Sequence, residues 1–132
     1  MRLVVDVDGT LTIDEPGVAY QDKRPRLDVI KRVNILRSRG AKIVIYTARN
    51  MRSHQGNLGV INKLTLPVLM GWLDRYDVGF DEIYMGKPWC GSEGFYVARN
   101  AIRPDDFTEV PLNQIESWMR RVAAGKLDRL NE

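Results

Sequence analysis

Two carboxylates stand one residue apart where the first apolar run of the chain ends. Asp6 and Asp8 follow a short β-branched stretch whose composition predicts a buried strand. Because alternate side chains of a strand point the same way, both carboxylates face one site. One can attack phosphorus or carbon, the other can give and take a proton, and a hard cation would balance their charge. The pair predicts a catalytic or metal-binding edge; the alternative is two acids that only cap a polar turn.

The turn directly after this pair suits an anionic ligand. Gly9 lets the backbone approach a ligand closely, and Thr10 adds a hydroxyl to the backbone N–H groups. Both are therefore predicted to contact the substrate.

A second apolar run, Ala41 to Tyr46, also ends in polar residues. Thr47 stands at its end, with Ala48 and Arg49 directly behind it. A hydroxyl and a forked guanidinium are both good donors to phosphate oxygens. All three residues are therefore predicted to lie at the same kind of strand edge as the aspartate pair.

A third, shorter run covers residues 81–85 and is followed by a lysine. Lys87 is held between Gly86 and a proline, so its charge has a defined position. Such a charge can neutralise a phosphoryl group or pair with a carboxylate. The alternative is a surface lysine in a turn.

Helical patterns separate these strands. Apolar residues recur at helical spacing after Pro25, from Leu66 to Tyr76, and after Pro111. Strands alternating with helices predict an α/β protein, a three-layer α/β/α sandwich with a mainly parallel sheet. In that architecture the strand ends meet at one edge. Gly94 to Val97 is predicted as a fourth strand, and residues 102–110 as an irregular connection.

The run VVDVDGTLT from Val4 to Thr12 resembles the first motif of the haloacid dehalogenase (HAD) superfamily, most of whose members are phosphatases. The resemblance implies that Asp6 is the nucleophile, which forms an aspartyl-phosphate. It implies that Asp8 is the general acid/base, with a backbone carbonyl that helps to hold Mg²⁺. Thr47 resembles the second motif, which implies a phosphate-binding role, and Lys87 matches the third, usually a lysine beside the nucleophile. Both are therefore predicted catalytic residues.

The fourth motif departs from the superfamily pattern. An acidic pair normally completes the Mg²⁺ site there, whereas residues 98–100 of this chain read Ala-Arg-Asn. Asn100 is the predicted third metal ligand beside the first two aspartates, and Arg99 is a predicted substrate contact. Asp105 or Asp106 is left open as a replacement ligand.

The resemblance covers roughly residues 1–107 and implies a Rossmann-like core. We expect one domain over 1–132, with the core at 1–107 and a C-terminal helix and charged tail at 108–132. The gaps between the motifs leave no room for a separate cap domain beyond a crossover helix. Capless members of the superfamily act on large substrates or borrow a neighbouring subunit, so a homo-oligomer that covers the site is expected.

Composition indicates which partners and which cellular compartment to expect. The net charge of +3 suits an anionic substrate, but the basic residues are scattered, which makes nucleic acid an improbable partner. A single cysteine, Cys90, fits a reducing cytoplasm, and no apolar run reaches membrane-spanning length. We expect a cytoplasmic protein with a small phosphorylated substrate and no membrane partner.

The functional prediction is a Mg²⁺-dependent phosphatase that hydrolyses a sugar phosphate or a related small phosphate ester. The segments YTARN (46–50) and MGKPW (85–89) resemble the small phosphatases linked with capsular or surface polysaccharide biosynthesis. The alternative is a non-catalytic sugar-phosphate binder or partner subunit on the same scaffold. In that case the guanidinium of Arg99 replaces metal charge and binds phosphate without helping hydrolysis.

Overall fold

A computed structural model of the protein describes residues 1–125. Three strands form one parallel sheet in the order β1–β2–β3 within that part of the chain. Strand β1 covers Arg2–Val5, β2 covers Lys42–Thr47 and β3 covers Glu82–Met85. Helices follow β1 and β2 along the chain, so the α/β fold and the parallel sheet are confirmed, as is a compact Rossmann-like core.

Strand β2 is the covered centre of the sheet. Ile43, Val44 and Ile45 are all buried, although neighbouring side chains of a strand point to opposite faces. Both faces of β2 are therefore covered, as a layered α/β protein requires. Val4 on β1 and Tyr84 on β3 are exposed, which fits their place on the edge strands.

The helices carry the predicted apolar stripes. The longest, α1, buries Val29, Ile30, Val33 and Leu36, whereas Leu27 at its first turn is exposed, contrary to the predicted stripe. Five α-helices and two 3-10 turns occur among the described residues: α1 Leu27–Ser38, α2 Leu58–Leu64, α3 Leu66–Arg75, α4 Pro104–Glu109, α5 Ile115–Ala123, and turns at Tyr20–Asp22 and Leu112–Gln114.

The predicted fourth strand does not form. Gly94 to Val97 is irregular, and Phe95 and Val97 are 87% and 98% exposed. A strand needs a neighbour to pair its N–H and C=O groups, which an apolar run alone does not supply. The prediction from composition was wrong here.

Residues 104–109 form α4, although 102–110 was predicted to be irregular. Pro104 occupies the first turn, where its missing N–H costs nothing. Asp105 and Asp106 follow it and favour the positive end of the helix dipole. This start signal was present in the sequence, but fewer than two turns of helix follow it.

The chain divides into two compact units, Met1–Trp89 and a second that begins at Cys90. The sheet and helices α1–α3 belong to the first unit, and α4 and α5 belong to the second. The single domain over 1–132 stays a prediction, and its charged tail (126–132) lies outside the described residues. Within residues 1–125, no helix is both long and apolar enough to cross a membrane.

The loop at 13–24 is tied to the body of the first unit. An antiparallel bridge between Thr12 and Pro25 closes its base, where the Ile13 N–H donates to the Arg24 carbonyl (2.8 Å). Near its end, the indole N–H of buried Trp72 donates to the Lys23 carbonyl over 2.8 Å. Helix α3 therefore fixes the backbone of this loop beside the end of β1.

We expect Trp72→Phe to lower the free energy of unfolding by about 1–3 kcal/mol more than Trp118→Phe does. Both tryptophans are buried, but the indole N–H of Trp118 has no hydrogen-bond acceptor among the described residues. Both substitutions remove the same volume, and only the first leaves a buried carbonyl without its donor. Urea unfolding followed by circular dichroism measures the difference, and equal losses would show that the bond contributes nothing.

Candidate active site

The strand register brings three chain segments to one edge of the sheet. Val5 pairs with Ile45, and Thr47 pairs with Met85, so the three strands end close together. The backbone N–H of Lys87, two residues past β3, donates to the Thr47 carbonyl over 3.0 Å. The edge predicted from the sequence therefore exists as a hydrogen-bonded junction.

Asp6 lies at the centre of this junction. Its Oδ2 is 3.3 Å from Lys87 Nζ, and its Oδ1 accepts the backbone N–H of Val7 over 2.8 Å. Val7 is buried, whereas Asp6 and Asp8, which follow the end of β1, are half-buried. The structure thus pairs the predicted nucleophile with the predicted lysine.

Gly86 makes the position of Lys87 possible. Its φ is +93°, in the left-handed region that favours glycine. A Cβ at this position would also come within 2.7 Å of the Leu58 side chain of α2. Glycine fits both the positive φ and the close packing against α2, and the turn that it makes places Lys87 near Asp6.

Asp8 is bound by two cations. Arg49 makes a bidentate contact with the carboxylate: Nη2 donates to Oδ1 over 2.8 Å, and Nε donates to Oδ2 over 3.1 Å. Lys23 Nζ lies 3.0 Å from Oδ1 as well. The side chains of Arg49 and Lys23 are both buried, so these charges are poorly screened by solvent.

These contacts set the ionisation of Asp8. Burial acts to raise the pKa of Asp8, but the Arg49 guanidinium and the Lys23 ammonium outweigh it and hold that pKa below 3.8. Asp8 is therefore a carboxylate at neutral pH.

We expect the ion pairs of Asp8 to stabilise the fold above pH 3.8 and to lose that effect as the pH falls through the lower, folded-state pKa. The stability of Asp8→Asn should therefore change less with pH in that acid window than the stability of the wild type. Urea unfolding at a series of pH values measures the difference. Asp74→Asn, which removes an exposed carboxylate of α3, is the control. Parallel curves for the wild type and Asp8→Asn would contradict this assignment.

Tyr20 and Thr47 hold Arg49 in place. The guanidinium carbon lies 4.2 Å from the centroid of the Tyr20 ring, close enough for a cation–π contact. The backbone N–H of Arg49 donates to Thr47 Oγ1 over 3.1 Å. Arg49 Nη1 is buried and has no hydrogen-bond acceptor among the described residues. One donor of the guanidinium is therefore left over at the site.

The turn after β1 uses its own N–H groups. Gly9, with φ +79°, donates its N–H to Thr12 Oγ1 over 3.1 Å, and Thr10 donates to the Val7 carbonyl over 3.1 Å. Ala48, half-buried, accepts the N–H of Met51 through its carbonyl. Substrate contacts by Gly9, Thr10 and Ala48 stay predictions.

Two predicted site residues belong to the second unit. Arg99 and Asn100 are both exposed, in an irregular stretch where Asn100 has φ +54°. Asp105 and Asp106, the alternative ligands, lie in the first turn of α4. Their roles toward a substrate or metal stay predictions.

The oxygen donors of the site can hold Mg²⁺ only if water supplies most of the ligands of the ion. Within residues 1–125, no three His, Cys, Asp or Glu side chains group closely enough to hold a metal ion. The half-buried Asp6 carboxylate and the Asp8 backbone carbonyl remain as oxygen donors. Mg²⁺ often binds through one or two carboxylates and keeps several waters, so these donors fit it.

Sequence reasoning missed three residues of this cluster. Lys23, Tyr20 and Thr12 follow the aspartate pair in a polar stretch, and a lysine in such a loop is normally exposed. Their roles depend on the Trp72 hydrogen bond and on the bridge at the loop base. No local signal in the sequence announces either contact.

Comparison with known proteins gives one strong likeness. No protein-family model matches the sequence, and no curated protein matches it either. The crystal structure of an MCSG target from Vibrio cholerae is 46% identical and superposes with a TM-score of 0.83, covering 91% of this chain and 97% of that chain.

A second solved structure is far less similar. It is the D,D-heptose 1.7-bisphosphate phosphatase from B. bronchiseptica complexed with magnesium and phosphate, at 14% identity and a TM-score of 0.44. The match covers 75% of this chain and 56% of that one. A likeness this weak carries no functional inference.

Proposed function

We propose that this chain, which belongs to the same family as the Vibrio cholerae protein, is a phosphatase of the HAD type. Its substrate is a sugar phosphate or a related small phosphate ester, and the reaction passes through an aspartyl-phosphate. The observation that supports the proposal is the pairing of Asp6 with Lys87 over 3.3 Å at the edge where all three strands end.

In the first step, an Asp6 carboxylate oxygen attacks phosphorus and the ester oxygen departs. Lys87 neutralises charge on the phosphoryl group, with Thr47 as the neighbouring phosphate-binding hydroxyl. Asp8 is assigned to protonate the departing oxygen. Lys23 and Arg49 oppose its protonation, so the proton transfer requires these contacts to loosen.

In the second step, water cleaves the aspartyl-phosphate. Asp8 takes a proton from this water, and phosphate leaves with the Asp6 carboxylate restored. A general base must be unprotonated, which is the form that Lys23 and Arg49 favour. The ion pairs of Asp8 with Lys23 and Arg49 thus suit this step better than the first.

The proposal includes Mg²⁺. The Asp6 carboxylate and the Asp8 carbonyl would hold the ion, and Asn100 is the third proposed ligand. When bound, Mg²⁺ supplies positive charge to the phosphoryl oxygens.

Size and assembly are further parts of the proposal. The segments that link β1, β2 and β3 contain helices α1–α3 and no separate cap domain. We therefore propose a homo-oligomer in which a neighbouring subunit covers the site. A cytoplasmic location, supported by the single cysteine, and a role in capsular or surface polysaccharide biosynthesis complete it.

A second candidate is a non-catalytic sugar-phosphate binder. It is supported by the absence, within residues 1–125, of a three-residue acidic metal cluster and by the residues Ala98 and Arg99 in place of motif acids. In this case the cationic side chains hold the phosphate and no hydrolysis follows.

Phosphate release from a panel of sugar phosphates, with and without Mg²⁺, decides between the two candidates. A phosphatase releases phosphate in a Mg²⁺-dependent way, and Ala98→Asp/Arg99→Asp then tests whether the missing acids limit it. A silent wild type with an active double variant would establish the binder instead.

A further inference from the structure

One tryptophan of the first unit is exposed. Trp89 is 45% exposed, whereas Trp72 and Trp118 are buried. The guanidinium carbon of Arg52 lies 5.6 Å from the centroid of a Trp89 ring, within cation–π range. A large aromatic side chain left open to solvent under a single arginine needs a reason, because tryptophan is highly buried on average.

The position of this pair links it to the proposed active site. Trp89 follows Lys87 by two residues, and Lys87 Nζ contacts Asp6 over 3.3 Å. Two residues of chain span at most about 7 Å, so the Trp89 backbone stays near the junction. Arg52 lies in the turn that follows Thr47 and β2. The Arg52–Trp89 contact therefore joins the loop after β2 to the loop after β3, at the rim of the site.

The chemistry of the pair fits a sugar ring. An indole presents a flat apolar surface with an electron-rich face, on which the C–H face of a sugar ring can lie. A guanidinium beside it offers several N–H donors to hydroxyl oxygens. Neither group serves the phosphoryl chemistry assigned to Asp6 and Lys87, so the pair is free to bind the other end of the substrate.

We propose that Trp89 is the stacking platform for the sugar ring of the substrate and that Arg52 binds its hydroxyl groups. The inference rests on the proposed function and narrows its substrate class to cyclic sugar phosphates, as against short acyclic phosphate esters. Arg52 lies over the indole in this structure and would shift aside or pack against the bound ring.

Binding to the Asp6→Asn protein tests the platform separately from turnover. Calorimetry would use glucose 6-phosphate, glycerol 3-phosphate and inorganic phosphate as probes. We expect the sugar phosphate to bind most tightly, and Trp89→Ala to weaken it about tenfold while leaving the two smaller probes within about twofold. Trp89→Phe should lose less affinity for the sugar phosphate, because phenylalanine keeps an aromatic face. Tyr84→Ala, which removes another exposed aromatic side chain, is the control.

Tryptophan fluorescence provides a readout that a merely structural role would not move. We expect the sugar phosphate to change the emission of Asp6→Asn, and Trp89→Phe to abolish that change, because the other tryptophans are buried.

The outcomes separate the inference from the proposed function. Equal losses for all three probes, or a sugar phosphate that binds no better than inorganic phosphate, would overturn the platform and leave the phosphatase proposal standing. If Asp6→Asn binds none of the three probes and the wild type releases no phosphate, both the platform and the phosphatase proposal are overturned.

Discussion

The Asp6→Asn variant should release phosphate at least about 10⁴-fold more slowly than the wild type, the scale of losing a catalytic nucleophile. An amide cannot form the aspartyl-phosphate, and no other carboxylate replaces it, since Asp8 is held by Arg49 and Lys23. The fold should survive, because the amide oxygen can still accept the Val7 N–H that Oδ1 accepts now. Steady-state phosphate release and urea unfolding measure the two effects.

Two controls make this result specific. Asp74→Asn removes an exposed carboxylate of α3 and should leave the rate unchanged. Acid-quenched wild-type protein should carry a phosphoryl group during turnover, and the Asp6→Asn protein should carry none. Phosphate release by Asp6→Asn at the wild-type rate would remove Asp6 from the mechanism.

Asp8→Ala should differ from Asp6→Asn by losing stability as well as activity. We expect a loss of about 3–5 kcal/mol in the free energy of unfolding, because the fully buried Arg49 guanidinium then has no carboxylate partner. Lys23 loses the same partner. Urea unfolding compared with that of Asp6→Asn measures the difference between the two aspartates.

A double-mutant cycle separates the ion pair from side effects of the substitution. Arg49→Met removes the charge while retaining much of the side-chain volume. In the Asp8→Ala/Arg49→Met protein, no buried guanidinium is left unpaired. The double variant should therefore be more stable than the sum of the two single losses predicts. Strictly additive losses would show that Asp8 and Arg49 do not stabilise each other.

The sequence predicted the scaffold well because its signals are local. Each strand is a short apolar run, and each long helix repeats apolar residues at three- and four-residue steps, as in α1 at Val29, Ile30, Val33 and Leu36. These patterns depend only on neighbouring residues. The edge position of Thr47 and Lys87 followed from parallel topology, since parallel strands end on the same side.

The errors arose where tertiary contacts decide the outcome. Gly94–Val97 has the composition of a strand but forms none, because composition cannot supply a pairing partner. Lys23 lies in a polar loop but is buried, because Trp72 binds its carbonyl and Asp8 its ammonium. The substrate contact of Arg49 stays a prediction, but its bidentate bond to Asp8 was not foreseen. Such pairings join residues far apart along the chain.

The cations around Asp6 and Asp8 would also affect the rate at which the proposed substrate reaches the site. Lys23, Arg49 and Lys87 place three positive charges beside the two half-buried carboxylates of Asp6 and Asp8. The Asp14 carboxylate, 4.0 Å from Lys23 Nζ, is 81% exposed, so solvent screens its charge more strongly. The proposed substrate, a phosphate ester, is doubly negative near neutral pH, so these positive charges would attract it from beyond contact distance and raise the encounter rate. The attraction fades over a Debye length of about 8 Å in physiological salt, which confines the steering to the immediate mouth of the site.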